Sequence, residues 1–293
     1  MKTTTFLSFL ILASARPLFG QIIDVHIHSH SANEYWGGEP HPYQNLPSPK
    51  TTEELLEQTI AEMDMNNIQY AVVSGSLESV ENYTSADPRF IPGYMEEDNI
   101  VPLEVFEELV KNGKIKIFGE ITGVYYGKTL NDTLYAPYLD ICVKYDIPVA
   151  YHTGGGAPMA VYNDAPNLRI KNGDPLLIED VLVKYPQLRV YLMHGGEMYY
   201  AHALRMMNLF QQLYVDVGAL LWVDPMAQDY GRNLLKKAKE YGMLNRVMFG
   251  SDQMVWPGAI SKSIEFLNSM DFLTEDEKQM ILYDNAKTFL KLK

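Results

Sequence analysis

The sequence predicts a single-domain (β/α)8 TIM barrel, and three observations carry that prediction. Apolar, β-branched runs of strand length alternate with segments of helical period eight times after residue 21. The turn after the first strand holds histidines, whereas an open doubly wound sheet would carry a G-x-G-x-x-G turn there. Metal-competent or acidic side chains recur at the carboxyl ends of the strands, the edge on which a barrel does its chemistry.

The strands are expected over residues 22–28, 69–74, 90–94, 115–121, 147–153, 189–194, 213–218 and 246–251. The first helix begins at Thr52 in TTEELLEQTIAEMDM, where a capping residue precedes acids in the first turn. A weaker helical pattern follows at 76–85. PLEVFEELVKNGK starts on Pro102 and stops on Gly113. NDTLYAPYLDICVKYD, DPLLIEDVLVKY, EMYYAHALRMMNLFQQ and PMAQDYGRNLLKKAKEYG supply the next four helices, and segments near 259–269 and 274–292 close the chain. Two connections are long, 29–51 with four prolines and Trp36, and 154–173, rich in Gly and Asn. Both follow strand ends where a barrel builds its site.

With 47% hydrophobic and 21% charged residues the chain has the composition of a globular protein rather than a disordered one. A net charge of −13 and the absence of basic runs argue against a nucleic-acid partner and leave a small molecule as the expected one. Residues 1–20, MKTTTFLSFLILASARPLFG, place one lysine before an apolar run and an A-x-A pair, which reads as a cleavable export signal preceding a barrel over 21–293. Periplasmic or secreted localisation is therefore expected. The run is too short to span a bilayer, and no later apolar run approaches about 18 residues. Cys142 is the single cysteine, so no internal disulfide arises.

IIDVHIHSH, residues 22–30, spends three of the seven histidines of the chain at alternate positions. In a strand His26 and His28 share a face, roughly 7 Å apart along the backbone. Two imidazoles there can reach one divalent ion, because nitrogen ligands sit about 2 Å from a zinc-like metal. Glu120, His152, His194 and Asp252 end further strands, in FGEITG, PVAYHTGGG, RVYLMHGGE and RVMFGSDQ. Imidazoles with carboxylates describe an open catalytic site, whereas a closed structural one would show thiolates.

DVHIH, YHTGGG, LMHGGE, FGSDQ and the closing LYDNAKTFL together resemble the amidohydrolase superfamily, in its amidohydrolase-related group of metal-dependent hydrolases and decarboxylases. The resemblance spans nearly the whole chain after residue 20. It implies that His26, His28, His152 and Asp252 are metal ligands, and that His194 is either a ligand to a second ion or the catalytic imidazole. Glu120 resembles the carboxylate that bridges two ions in one branch of the superfamily, with a second-shell role as the alternative. Lys114 and Lys116 stand too early on their strand to form a carbamate bridge.

The implied cofactor is one or two divalent ions, zinc first, with manganese or iron as alternatives. The implied activity is hydrolysis of an ester, lactone, amide or related bond by a metal-activated water, with Asp252 moving the proton. Non-oxidative decarboxylation of a small carboxylic acid is the alternative. His30, His41 and His202 are expected to be surface residues or loop hydrogen-bonders, with His30 or His41 near substrate as a second possibility.

Overall fold

The structure, a computed structural model, describes residues 20–34, 37–96 and 100–293. The export reading of 1–20 lies outside these residues except for Gly20, and so does Trp36. Eight parallel strands alternate with helices in the predicted order. They are β1 (Ile22–His28), β2 (Ile68–Ser74), β3 (Phe90–Glu96), β4 (Ile117–Ile121), β5 (Val149–His152), β6 (Val190–Met193), β7 (Leu213–Asp216) and β8 (Val247–Met248). Each strand pairs with the next along the chain. Across the gap between first and last strands, Val25 N donates to Phe249 O (3.0 Å) and Asp252 N to His26 O (2.8 Å), which brings the two edges together.

The outer helices are α1 (Thr52–Met65), α2 (Leu77–Ala86), α3 (Leu103–Lys111), α4 (Ala136–Tyr145), α5 (Glu179–Lys184), α6 (Tyr200–Leu209), α7 (Pro225–Glu240) and α8 (Ala259–Asn268). Their ends follow the local chemistry. The Thr51 side chain accepts from Glu54 N ahead of α1, with Glu53 and Glu54 in its first turn. Asp224 caps α7, Pro225 opens it, and Lys237 and Lys239 lie in its last turn. The predicted helix over 174–185 opens instead with a 3-10 turn, Pro175–Ile178, capped by Asp174, before α5.

Strand eight is shorter than expected: its ladder to β7 ends at Met248, and Phe249 instead bonds Val25 N of β1 through its carbonyl and Ile281 O of the closing segment through its N–H. The final segment, expected as one helix over 274–292, divides into α9 (Glu275–Gln279), a π-helical turn (Met280–Asp284) and α10 (Asn285–Phe289). The wide turn has a cause: Ile281 O accepts from Phe249 N (2.9 Å), and Asn285 Nδ2 donates to Leu244 O and Val247 O (both 2.7 Å). The closing segment is thereby tied to β8.

The barrel interior is filled by Ile23 and Val25 of β1, Val72, Ile91, Ile117, Ala150, Tyr191, Met193 and Met248, and Ala286 and Phe289 of α10 pack against it. On β1 the register slips, three steps from Asp24 to Ile27 against two from Ala71 to Val73 on β2. This bulge passes the inward phase from Ile23 and Val25 to His26 and His28, so the interior is apolar below and histidine-lined at the carboxyl mouth. Among the described residues no helix is long and apolar enough to cross a membrane.

Candidate metal centre

Each predicted residue arrives at the mouth by a different route. His26 and His28 end β1. Gln253 grips the backbone of His28 from both sides, its Oε1 accepting from His28 N (3.0 Å) and its Nε2 donating to His28 O (2.9 Å). Glu120 stands on β4 and His152 closes β5. His194 lies one residue past β6, at φ +61°, and Asp252 lies past the regular part of β8, at φ +53°. For both, the bend that breaks the strand turns the side chain over the mouth. All six are buried.

Their donor atoms converge. His26 Nε2 lies 3.2 Å from His28 Nε2, 3.6 Å from Glu120 Oε2 and 3.5 Å from Asp252 Oδ1. His28 Nε2 lies 3.2 Å from Glu120 Oε2 and 3.0 Å from Asp252 Oδ1. Ligands about 2.1 Å from a tetrahedral centre lie about 3.4 Å apart, so the atoms of His26, His28 and Asp252 are spaced as ligands of one zinc-sized ion, with Glu120 Oε2 beside the two imidazoles. The other oxygen of Glu120 meets a second set: Oε1 is 2.6 Å from His152 Nδ1 and 3.4 Å from His194 Nε2, and those nitrogens are 3.1 Å apart.

The far side of each ring agrees with this geometry. His26 Nδ1 donates to Asp216 Oδ2 (3.0 Å), His152 Nε2 to Gly155 O (2.8 Å) and His194 Nδ1 to Gly218 O (3.1 Å). In the neutral ring each of these bonds takes up the proton and leaves the lone pair of the other nitrogen facing the centre. His28 differs, since its buried Nδ1 has no hydrogen-bond partner among the described residues.

Charge is balanced within the cluster. Burial pushes the Glu120 carboxyl up, but hydrogen bonds from His152, His194, His26 and His28 outweigh that and hold it well below the usual range. Burial acts on Asp252 likewise and is overcome by His26, His28 and His194, so it too stays ionised. Burial would lower His28, yet hydrogen bonds to Asp252 and Glu120 raise it to about 9. Two buried carboxylates thus call for positive charge, which either protons on imidazole or a cation supplies. The chemistry and spacing of the donors fit a divalent cation, and groups of this kind include His26, His28 and Asp252, and His26, Glu120 and His194.

His30 and His41 are loop hydrogen-bonders, as one of the two expectations had it, bonding Glu34 Oε2 (2.6 Å) and Gln44 N (3.2 Å), but neither is a surface residue. His30 is buried, its ring stacked on that of His28 at 4.6 Å. His41 is also buried, packed against Trp222 (4.8 Å) and Trp256 (4.6 Å). A proline-rich loop folds inward here because the two tryptophans give its imidazole an apolar slot. His202 sits in α6 and bonds Asp174 (2.8 Å). Lys114 pairs with Glu81, away from the centre. Of the paired tyrosines, Tyr125 stands edge-on to His152 (5.1 Å) and Tyr199 stacks on His202 (5.7 Å).

Sequence reasoning missed Asp216. Its signal was present, an acid at the carboxyl end of strand seven in LYVDVG, the same position that identified the others. It also missed Asp24, whose Oδ1 accepts from His26 N and Ser251 N (both 3.0 Å) and so links β1 to the FGSDQ turn.

A family model described as Amidohydrolase matches residues 23–292. No curated protein matches the chain. Three of the solved structures that share the fold illustrate the likeness. An uncharacterized TIM-barrel protein from Bordetella bronchiseptica is 21% identical, covering 92% of this chain and 98% of its own, with a TM-score of 0.70. A probable 2-pyrone-4,6-dicarboxylic acid hydrolase from Acinetobacter baumannii, with citric acid bound, is 17% identical, covering 92% and 99%, with a TM-score of 0.60. A 5-carboxyvanillate decarboxylase from Novosphingobium aromaticivorans, complexed with manganese, is 15% identical, covering 94% and 96%, with a TM-score of 0.59.

Proposed function

This chain belongs to the amidohydrolase family, and from that membership and the donor geometry we propose that it is a metal-dependent hydrolase acting on an ester, lactone, amide or related bond of a small molecule. The observation that carries the proposal is the division of one carboxylate, Glu120 Oε2 facing His26, His28 and Asp252 while Oε1 faces His152 and His194. Two donor sets sharing one carboxylate suit two ions, and two ions suit hydrolysis better than decarboxylation, which needs one. Ions held there would lower the pKa of water and polarise the carbonyl under attack, with zinc first and manganese or iron as alternatives.

The chain's own residues divide the remaining work. His26, His28 and Asp252 would hold one ion and His152 and His194 the other, with Glu120 offering one oxygen to each set. Asp252 is the proton carrier, because Oδ1 belongs to the first donor set while Oδ2 lies 3.8 Å from His194 Nδ1, which is already committed to Gly218 O. A carboxylate oxygen left in that position takes the proton of the attacking water and passes it to the leaving group. Substrate would enter past the 29–51 and 154–173 loops, whose side chains set its identity.

Elemental analysis of the purified chain, with activity on a panel of esters, lactones and amides before and after chelation, tests the proposal. Two ions per chain and activity lost on chelation and restored by metal are expected. Activity that persists in chelator overturns it, and a single ion with release of CO₂ from a carboxylic acid replaces hydrolysis by decarboxylation.

A further inference from the structure

The chain leaves β6 through four consecutive residues at positive φ, His194 (+61°), Gly195 (+53°), Gly196 (+83°) and Glu197 (+49°). Two of these positions are glycine, which such backbone favours. Glu197, at ψ −119°, lies outside even the left-handed helical region, where a glycine would be relaxed and a glutamate is strained. A side chain kept in that backbone has something to hold, and what it holds is visible. Glu197 Oε2 accepts from Gly155 N, in the loop that follows β5.

The loop is shaped to receive it. A Cβ on Gly154, itself at φ +87°, would come within 2.4 Å of Glu197 Oε2 and 2.5 Å of Glu197 Cβ, so only glycine leaves room for the carboxylate. The residue so gripped also supplies the carbonyl that matters, because Gly155 O, in the following peptide, accepts from His152 Nε2 (2.8 Å) and thereby turns His152 Nδ1 toward Glu120 Oε1. Thr153 braces the same junction, donating to Met193 O (2.5 Å) and accepting from Gly196 N (2.9 Å).

We propose that Glu197 is a positioning residue for the His152 side of the centre, acting through the backbone of Gly155 to fix the ring orientation and the proton-free nitrogen of His152. The inference rests on the proposed function in one respect, that His152 Nδ1 is a metal donor. The role is remote from the first donor set, which Asp216, Gln253 and the bulge of β1 hold in place. Glu197 should therefore act on one ion and spare the other.

Calorimetric titration of the chelated full-length chain with Zn²⁺ tests this, with Glu197→Ala, Glu197→Gln and His152→Ala beside the unmodified protein. The unmodified protein is expected to bind two ions and His152→Ala one. Glu197→Ala should bind the first ion as the unmodified protein does and the second about 10–100-fold more weakly, the usual cost of losing an orienting partner. Glu197→Gln keeps an oxygen acceptor for Gly155 N and should restore most of that affinity. Two sites of unaltered affinity in Glu197→Ala overturn the inference, and equal losses at both sites with a lowered melting temperature overturn it in favour of a general folding role. An unmodified protein that takes up no Zn²⁺ overturns instead the metal-centre reading on which it rests.

Discussion

Asp216 Oδ2 lies 3.0 Å from His26 Nδ1, although the two residues stand 190 positions apart in the chain. The other oxygen of the same carboxylate accepts from His194 N (2.8 Å) and Gly218 N (2.9 Å). One fully buried side chain on β7 therefore orients an imidazole of one donor set and the backbone that carries an imidazole of the other. An amide can replace only one of these two acceptor oxygens, since its nitrogen would face a donor. Asp216→Asn is expected to weaken metal binding about 10–100-fold while the chain stays folded. Metal content after dialysis against graded chelator measures it, and an unchanged affinity would mean that His26 needs no partner.

Glu120 is the second test, because its two oxygens face different donor sets. Glu120→Gln leaves a single oxygen and removes the charge that balances four imidazoles. The ion content should fall from two to one per chain, and turnover should fall by more than the roughly 100-fold that accompanies loss of an orienting partner. Mass spectrometry of the native protein reads the stoichiometry directly. Two tightly held ions in the variant would show that the carboxylate is not shared.

Trp256 tests how the 29–51 loop is held. Its ring is buried, His41 meets it edge-on at 4.6 Å, and its Nε1 donates to Glu39 O (3.1 Å). Trp256→Ala removes the slot into which His41 packs and should cost about 3–5 kcal/mol in urea unfolding. Proteolysis should then cut first within 29–51. A loss below about 1 kcal/mol, the range of surface substitutions, would show that the loop is held elsewhere.

Asp87 supplies the pH test, at a position remote from the centre. It ends α2 and receives Arg89 through Nε and Nη2 (3.0 and 2.6 Å) and through its backbone N (2.8 Å). The hydrogen bonds from Arg89 hold its carboxyl below the usual range. A depressed folded-state pKa stabilises above the unfolded value, near 3.9, and that stability is lost as pH falls through the folded value. Asp87→Asn should therefore cost about 1 kcal/mol at pH 7 after allowance for salt screening, and the gap should close in acid. Urea unfolding at pH 7 and pH 3 decides it, and a gap independent of pH would refute the ion pair as its source.

The fold and the gathering of the candidate ligands at one mouth were legible in the sequence because they rest on local patterns. Strand and helix order follows from hydrophobic period, and His26, His28, Glu120, His152, His194 and Asp252 each end a strand or follow one closely, so barrel topology alone carries them to one mouth. What the tertiary structure decided is how those side chains turn. The bulge on β1, the positive-φ bends at His194 and Asp252 and the two-sided use of Glu120 depend on neighbours distant in the chain. Asp216 and Glu197 matter through hydrogen bonds to residues distant in the chain, Asp216 to His26 and His194 and Glu197 to Gly155. Periodicity places a residue on a face, but a donor atom is aimed by its long-range contacts, and these exist only once the barrel has closed.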